Sequence, residues 1–214
     1  MAQISKGILS GFSGTVGTVV GGSWRGISYM RSKPVRKKSY TPSPRQMDQQ
    51  LKFRLAIDLS QSLNGLTSFS FAEKAVHKTS HNCFVSHLLK QAIKGTSPQF
   101  EIDYSKVLVS NGSLEGVAGA TATPGAPGRI VFTWEDNTVG GHLAKATDRA
   151  ILVVHCPSLN RSQYITVGAI RSTTTYTMDV SRFSGEEVHT YIGFISEDGK
   201  WVSASEYTGM LTVA

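Results

Sequence analysis

The spacing of apolar residues divides the chain into three parts. Residues 15–31 alternate along a β-branched, glycine-rich stretch, which is typical of strands. Over residues 46–96 the spacing becomes that of amphipathic helices, and from Ser97 onward a period of two returns. We therefore predict an α+β fold with three domains: a Gly-rich β-hairpin and basic arm (residues 1–45), a segment of two to three helices (46–96) and an antiparallel, Ig-like β-sandwich (97–214).

The first part has paired glycines, Gly21-Gly22, between two extended runs. Two such residues supply the positive φ angles of a tight hairpin turn, so we predict one hairpin over residues 15–31 that turns there. A glycine-rich hairpin of this length is not stable alone in water, and we expect it to pack on another surface. The predicted subunit-contact residues of this arm are Val16, Val19, Val20, Trp24, Ile27 and Tyr29.

A basic, proline-punctuated segment follows the hairpin. Pro34, Pro42 and Pro44 each lack a backbone donor and hold the preceding residue extended, so we predict an arm without regular structure. Basic side chains lie along this arm and in the hairpin, where they are candidates for contacts with nucleic-acid phosphates or with an acidic neighbour. They are Arg25, Arg31, Lys33, Arg36, Lys37, Lys38 and Arg45.

Two helical stretches follow the arm. Ser43 is a good N-cap with Pro44 at the first helical position, and the helix should end near Gly65. Its predicted apolar stripe consists of Met47, Leu51, Leu55, Leu59 and Leu63. A second helix should start at Ser70, which has capping-box spacing to Glu73.

The second helical stretch contains four side chains of metal-ligand type: His77, His81, Cys83 and His87. On one helix the first pair would lie about 240° round from the second pair. The spacing also differs from the usual zinc patterns. We therefore predict no metal site here, and no cofactor elsewhere in the chain.

Beyond Ser97 the apolar alternation is interrupted by turn signals such as Asn111-Gly112 and Asp198-Gly199, which is typical of a β-sandwich. We predict Trp134 to be a core residue and residues 197–200 to form a hairpin turn. The candidate strands are residues 102–109, 114–120, 129–134, 150–156, 163–170, 174–180, 188–195, 201–206 and 210–213.

Charge is distributed unevenly along the chain. The net charge is +7, but residues 1–96 contain 14 Lys or Arg and 3 Asp or Glu, whereas residues 97–214 contain 8 and 12. The halves therefore have opposite sign, and the basic half fits nucleic acid or the acidic half of another copy.

Several other classes of protein fit the sequence poorly. It contains no Gly-x-Ser-x-Gly motif, and the neighbours His155 and Cys156 would point to opposite faces of a strand, so we predict that the protein is not an enzyme. No secretory signal and no apolar run of membrane-spanning length is evident. We expect synthesis in the cytoplasm, and a final location in the cytoplasm, a virion or an exported assembly.

The N-terminal part carries a distinctive glycine and tryptophan signature. It reads Gly14-x-Val16-Gly17-x-Val19-Val20-Gly21-x-x-Trp24-Arg25-Gly26, followed by Arg31-Ser32-x-Pro34. With it, the chain resembles an uncharacterised family of Bacteroidota proteins, which implies no activity. The chain from Ser97 onward resembles an immunoglobulin-like or fibronectin type III-like sandwich, which implies a fold but no function.

Three functions are compatible with these patterns. The first is a structural, self-assembling subunit of a filament, tube, sheath or virion, whose arm contacts other copies head to tail. The second is nucleic-acid binding, with the basic arm on phosphates and Trp24 or Tyr29 stacking on bases. The third is an adhesive or carbohydrate-binding module built on the sandwich.

Overall fold

A computed structural model describes residues 3–4, 11–35, 41–138 and 143–214. The chain divides into two compact units, Met1–Ser43 and Pro44–Ala214. The first unit is a glycine-rich sheet, and the second contains helices followed by an antiparallel β-sandwich. This arrangement confirms the predicted α+β class.

The first unit is a four-stranded antiparallel sheet in the order β1-β2-β3-β4. Its strands are β1 (Gln3–Ile4), β2 (Phe12–Val16), β3 (Val19–Trp24) and β4 (Ile27–Ser32). Strands β2 to β4 form a meander with two tight turns, each two residues long.

The prediction of a single hairpin that turns at Gly21-Gly22 is wrong, because β3 runs straight through both glycines. The chain reverses at Gly17-Thr18 and at Arg25-Gly26 instead. Gly17 has φ 57°, and Arg25 and Gly26 have φ 49° and 84°, so these positions supply the positive φ angles of two-residue hairpin turns.

The second unit begins with helices α1 (Pro44–Ser62), α2 (Leu66–Ser70) and α3 (Ser80–His87), and α3 continues into a π-helical turn over Leu88–Ala92. The predicted start of the first helix at Pro44 is confirmed. Gly65 with φ 91° precedes α2, close to the predicted end.

The predicted start of the second helical stretch at Ser70 is wrong, whereas α3 lies within that stretch. Ser70 ends α2, and its hydroxyl donates to the Val109 carbonyl (2.8 Å). The Glu73 carboxylate accepts from the backbone N–H of Ser113 (3.0 Å) rather than closing a capping box. Helix α3 is capped by Thr79, whose hydroxyl oxygen accepts from the Asn82 N–H (3.1 Å).

Among the described residues nine strands follow the helices, and two sheets of them form the sandwich. The three-stranded sheet has the order β11-β8-β7, the four-stranded sheet the order β10-β9-β12-β13, and β5 pairs with β6 in a separate hairpin. The strands are β5 (Ile93–Thr96), β6 (Gln99–Ile102), β7 (Ala118–Pro124), β8 (Arg129–Glu135), β9 (Arg149–Cys156), β10 (Arg161–Ile165), β11 (Thr175–Asp179), β12 (Glu187–Ile195) and β13 (Glu206–Thr212).

The strands predicted at residues 129–134, 150–156, 174–180 and 188–195 are confirmed. Those predicted at residues 102–109 and 201–206 are wrong, apart from isolated end residues and bridges. Val107 and Val109 do alternate into a core, but the Val109 N–H donates to the Ser205 hydroxyl (2.8 Å) instead of to a strand. Alternating burial therefore arises here without a sheet ladder.

The second unit has three layers, because the four-stranded sheet is buried on both faces. From β9, Leu152 and Val154 point into the sandwich core, where they join Trp134. Ile151 and Val153 point the other way, into a core shared with the helices. The uninterrupted apolar run of β9 reflects this double burial, and the prediction that Trp134 is a core residue is confirmed.

Candidate functional site

The residues predicted for subunit contact are separated by the pairing of β3 with β2 and β4. Opposite residues of paired strands share a face of the sheet. Trp24 pairs with Ile27, Gly22 with Tyr29 and Val20 with Arg31, so these side chains lie on one face. We call it the Trp24 face, and its apolar members are Val20, Trp24, Ile27 and Tyr29.

The other two predicted contact residues lie on the opposite face. Val16 pairs with Val19, and Gly21 pairs with Met30, so Val16, Val19 and Met30 project together away from the Trp24 face. Met30 is 72% exposed and was not predicted.

Aromatic rings lie over both glycines of β3. A side-chain carbon at Gly21 would collide with the carbonyl oxygen and ring of Phe12, and one at Gly22 would lie 3.0 Å from the Tyr29 ring. The glycines therefore allow these residues to approach the backbone closely, which explains why they lie inside a strand.

The apolar residues of the Trp24 face are open to solvent. Trp24 is 44%, Ile27 53% and Tyr29 46% exposed, and only Val20 is half-buried. Within the described part of this unit, no second layer covers either face of the sheet. A contiguous apolar surface of this kind is typical of an interaction site.

The predicted basic residues are spread over both units. Arg31 belongs to the Trp24 face, Arg25 occupies the second turn with its guanidinium 5.9 Å from the Trp24 ring centroid, and the Lys33 N–H donates to the Thr18 carbonyl (2.7 Å). Arg45 lies in the first turn of α1, in the other unit. Arg36, Lys37 and Lys38 fall outside the described residues.

The net positive charge of the protein comes from the first unit. Residues 1–43 contain seven Lys or Arg and no Asp or Glu, whereas residues 44–214 contain 15 of each. The sheet therefore combines an apolar face with an entirely basic set of charges.

A buried polar network lies on the helix-facing side of the four-stranded sheet. The Nδ1 atom of His155 is 2.9 Å from the Ser162 hydroxyl and 3.4 Å from that of Ser62. The nearby His189 ring stacks on Tyr104 with 4.0 Å between centroids. Burial lowers the pKa of His155 to about 4, so its imidazole is neutral at pH 7. The closed environment suits a structural network.

The four metal-ligand types near α3 do not converge. His87 is 3.1 Å from the Lys106 carbonyl, and the Cys83 thiol contacts the Lys74 carbonyl (3.5 Å). In residues 3–4, 11–35, 41–138 and 143–214, no group of three or more His, Cys, Asp or Glu is arranged to hold a metal ion. Within those same ranges no helix has both the length and the apolar character to span a membrane.

The chain is similar in fold to domains of two kinds of solved structure. The fn3 domain of the human collagen alpha-1(XX) chain matches 49% of this chain and 91% of its own, at 12% identity and a TM-score of 0.36. A structure of titin kinase and its flanking domains matches 47% of this chain and 17% of its own, at 16% identity and a TM-score of 0.35.

No curated protein sequence matches the chain. One family model matches residues 11–209, which includes the N-terminal sheet, the helices and nearly all of the sandwich. The chain therefore belongs to this family, which is described as a family of unknown function, DUF6266.

Proposed function

We propose that this protein is a structural, self-assembling subunit and that its N-terminal sheet makes the contacts between copies. The observation that carries the proposal is the exposure of Trp24, Ile27 and Tyr29 on one face of a single-layer sheet. A small sheet with open apolar faces gains stability in water when another surface covers it. A filament, tube, sheath or virion component consists of such subunits.

Strand β4 offers a second means of contact. It is the last strand of the sheet, and among the described residues its outer edge pairs with no other strand. All six of its residues are exposed. An open edge accepts a strand from a partner through backbone hydrogen bonds, while the alternating side chains decide which strand fits.

Charge favours a head-to-tail arrangement of copies. The first unit is wholly basic, whereas residues 97–214 contain 12 acidic and 8 basic residues. Contact between unlike surfaces of neighbouring copies is heterologous, and it builds rings or filaments rather than closed twofold dimers.

Nucleic-acid binding is the second candidate function. It is favoured by the seven basic and zero acidic residues of the first unit, together with the exposed Trp24 and Tyr29 rings on the face that carries Arg31. Basic side chains bind phosphates, and aromatic rings stack on unpaired bases.

The Bacteroidota origin and the N-terminal signature of the family stay predictions. We propose both from the resemblance of the sequence around Gly14 to Pro34. The signature agrees with the sheet in one respect: Gly17, Gly26 and Trp24 are the two turn glycines and the most bulky member of the exposed face.

The test is the mass of the purified, nuclease-treated protein by light scattering at low and at high salt, with negative-stain images of the same samples. We expect large regular particles at both salt concentrations, because apolar contacts and strand pairing are screened little by salt. In the variant Trp24→Ser/Ile27→Ser the particles should dissociate. Phe53→Ser, which removes an exposed ring from α1, should leave them intact.

Two outcomes would contradict assembly. A monomer at both salt concentrations would contradict the assembly proposal. Particles that persist in Trp24→Ser/Ile27→Ser would contradict it as well. If that monomer carried nucleic acid through purification, and released it steeply with salt, the second candidate function would take its place.

A further inference from the structure

A cleft of about 520 Å³ opens beside the turn that joins β12 to the following irregular segment. The turn spans residues 196–201, and the facing wall is the segment before β9. The residues that line the cleft are Leu143, Lys145, Asp148, Ser196, Glu197, Asp198 and Trp201. A volume of this size is typical of sites for small ligands.

Trp201 forms the aromatic wall of this cleft. Its side chain is half exposed, and it also lines an adjoining apolar pocket of about 140 Å³ together with Ser113, Leu114 and Leu143. The Trp201 side chain therefore borders both spaces, of which the smaller is apolar and the larger has polar walls. An exposed indole presents a flat apolar surface for stacking.

The turn that carries Trp201 is held in one conformation by its own hydrogen bonds. The Ser196 hydroxyl donates to the Asp198 carboxylate (2.6 Å) and accepts from the backbone N–H of Trp201 (3.0 Å). Gly199 has φ 72°, which closes the turn. The Ser196 hydroxyl lowers the pKa of Asp198 to about 2, so that its carboxylate is ionised at neutral pH.

The opposite wall is also fixed in place. Asp148 is fully buried, its Oδ2 atom accepts from Arg171 (3.2 Å), and the same atom accepts from the Lys145 N–H (2.9 Å). Its Oδ1 atom has no hydrogen-bond partner in the part of the chain that is described. Such a buried, unpaired acceptor is uncommon.

The mixture of groups identifies the chemistry of the ligand. One exposed indole lies beside the carboxylates of Glu197 and Asp198 and the side chain of Lys145. Phosphate or nucleotide ligands would meet the carboxylates with like charge. A polyhydroxylated ring suits both features, since its C–H face stacks on indole and its hydroxyls donate to carboxylates and accept from an ammonium group.

We propose that this cleft binds a pyranose sugar unit of a glycan, with Trp201 as the stacking surface and Lys145, Glu197 and Asp198 as hydroxyl partners. The site does not depend on the proposed assembly, because it lies within the second unit whereas the Trp24 face belongs to the first. Its failure would leave the assembly unaffected.

The test uses the full-length protein and a defined panel of soluble oligosaccharides of glucose, galactose, mannose, xylose and N-acetylglucosamine. Saturation-transfer NMR identifies the oligosaccharides that bind, and calorimetry measures the Kd of each. We expect at least one member to bind with a Kd of about 1 mM or below. Trp201→Ala should weaken it by about tenfold or more, and Trp201→Phe should recover part of the affinity.

Phe53→Ala is the matched control, because Phe53 is 52% exposed and Trp201 51%. This variant should bind like the wild type. Glu197→Gln should weaken binding several-fold without affecting the fold. The proposal is overturned if no member of the panel binds, if binding survives Trp201→Ala, or if mononucleotides bind in place of the sugars.

Discussion

The guanidinium group of Arg171 lies 3.2 Å from the carboxylate of Asp148, and neither side chain has exposed surface. Arg171 also donates to the Asn137 side chain (2.6 Å) and to the carbonyl groups of Glu115 (3.0 Å) and Gly116 (3.1 Å). Its charge packs 3.8 Å from the ring centroid of Phe194. One buried cation thus connects three other segments, at residues 115–116, 137 and 148, to β12.

Removing this cation should cost much of the stability of the second unit. In Arg171→Met the buried Asp148 carboxylate loses its counter-charge and the Glu115 carbonyl loses the Arg171 donor, so we expect the free energy of unfolding to fall by about 3–5 kcal/mol. Urea denaturation measures it. Arg54→Met removes one partner of an exposed pair with Asp58 (4.0 Å) and should cost less than about 1 kcal/mol. Equal losses in the two variants would contradict the assigned role of Arg171.

Arg171 also shows where prediction from the sequence stopped. The patterns of β8, β9, β11 and β12 are local, because their apolar residues recur within each strand, and these strands were predicted. The burial of Arg171 depends on partners 23 to 56 residues away, which no local pattern records. The sequence therefore predicted no role for Arg171.

The N-terminal sheet shows the same limit in a different form. Its composition indicated strands and exposed apolar contacts, and the contact residues were chosen from it. Their division into two faces depends on the register, and the register depends on which glycines turn the chain. Gly17 and Gly26 turn it, while Gly21 and Gly22 admit the rings of Phe12 and Tyr29.

Substitution of these inner glycines should separate two effects. In Gly21→Ala the new methyl group would collide with the Phe12 backbone carbonyl, which cannot move away without opening the β2–β3 pairing. We expect hydrogen exchange of the β3 amides to accelerate by about fivefold or more, as a loss of about 1–3 kcal/mol implies.

Gly22→Ala is the matched control, because its methyl group would meet only the Tyr29 ring at 3.0 Å, and that ring can rotate aside. Its β3 amides should exchange nearly as in the wild type. Faster exchange in Gly22→Ala than in Gly21→Ala would contradict the register in which β3 runs through both glycines.

His155 should make stability depend on pH. Burial, and to a smaller extent the charge of His189, lower the pKa of His155 to about 4 from its ordinary value of 6.5. Between these values the unfolded chain binds a proton that the folded protein excludes, so the free energy of unfolding falls as the pH falls from about 6.5 to about 4. The fall should reach about 3 kcal/mol.

Urea denaturation over this pH range measures the slope. His155→Gln should reduce the slope, whatever its effect on stability at pH 7, and burial of His189, which also lowers its pKa, accounts for the slope that is left. His77→Asn is the control: His77 is exposed with φ 57°, a conformation that asparagine tolerates, and its removal should leave the slope unchanged. A slope that is unchanged in His155→Gln would assign the proton to another group.

The apolar stripe of α1 gives a further prediction, because only its C-terminal half is buried. Leu59 is 2% exposed and Leu51, two turns earlier on the same stripe, is 39% exposed. Leu59→Ala should therefore lower the free energy of unfolding by about 2–5 kcal/mol, and Leu51→Ala by less than about 1 kcal/mol. If Leu51→Ala costs as much as Leu59→Ala, another surface covers the exposed half of the stripe in solution. Repeating the measurement at several protein concentrations then shows whether that surface belongs to a second copy, since contacts between copies make stability depend on concentration.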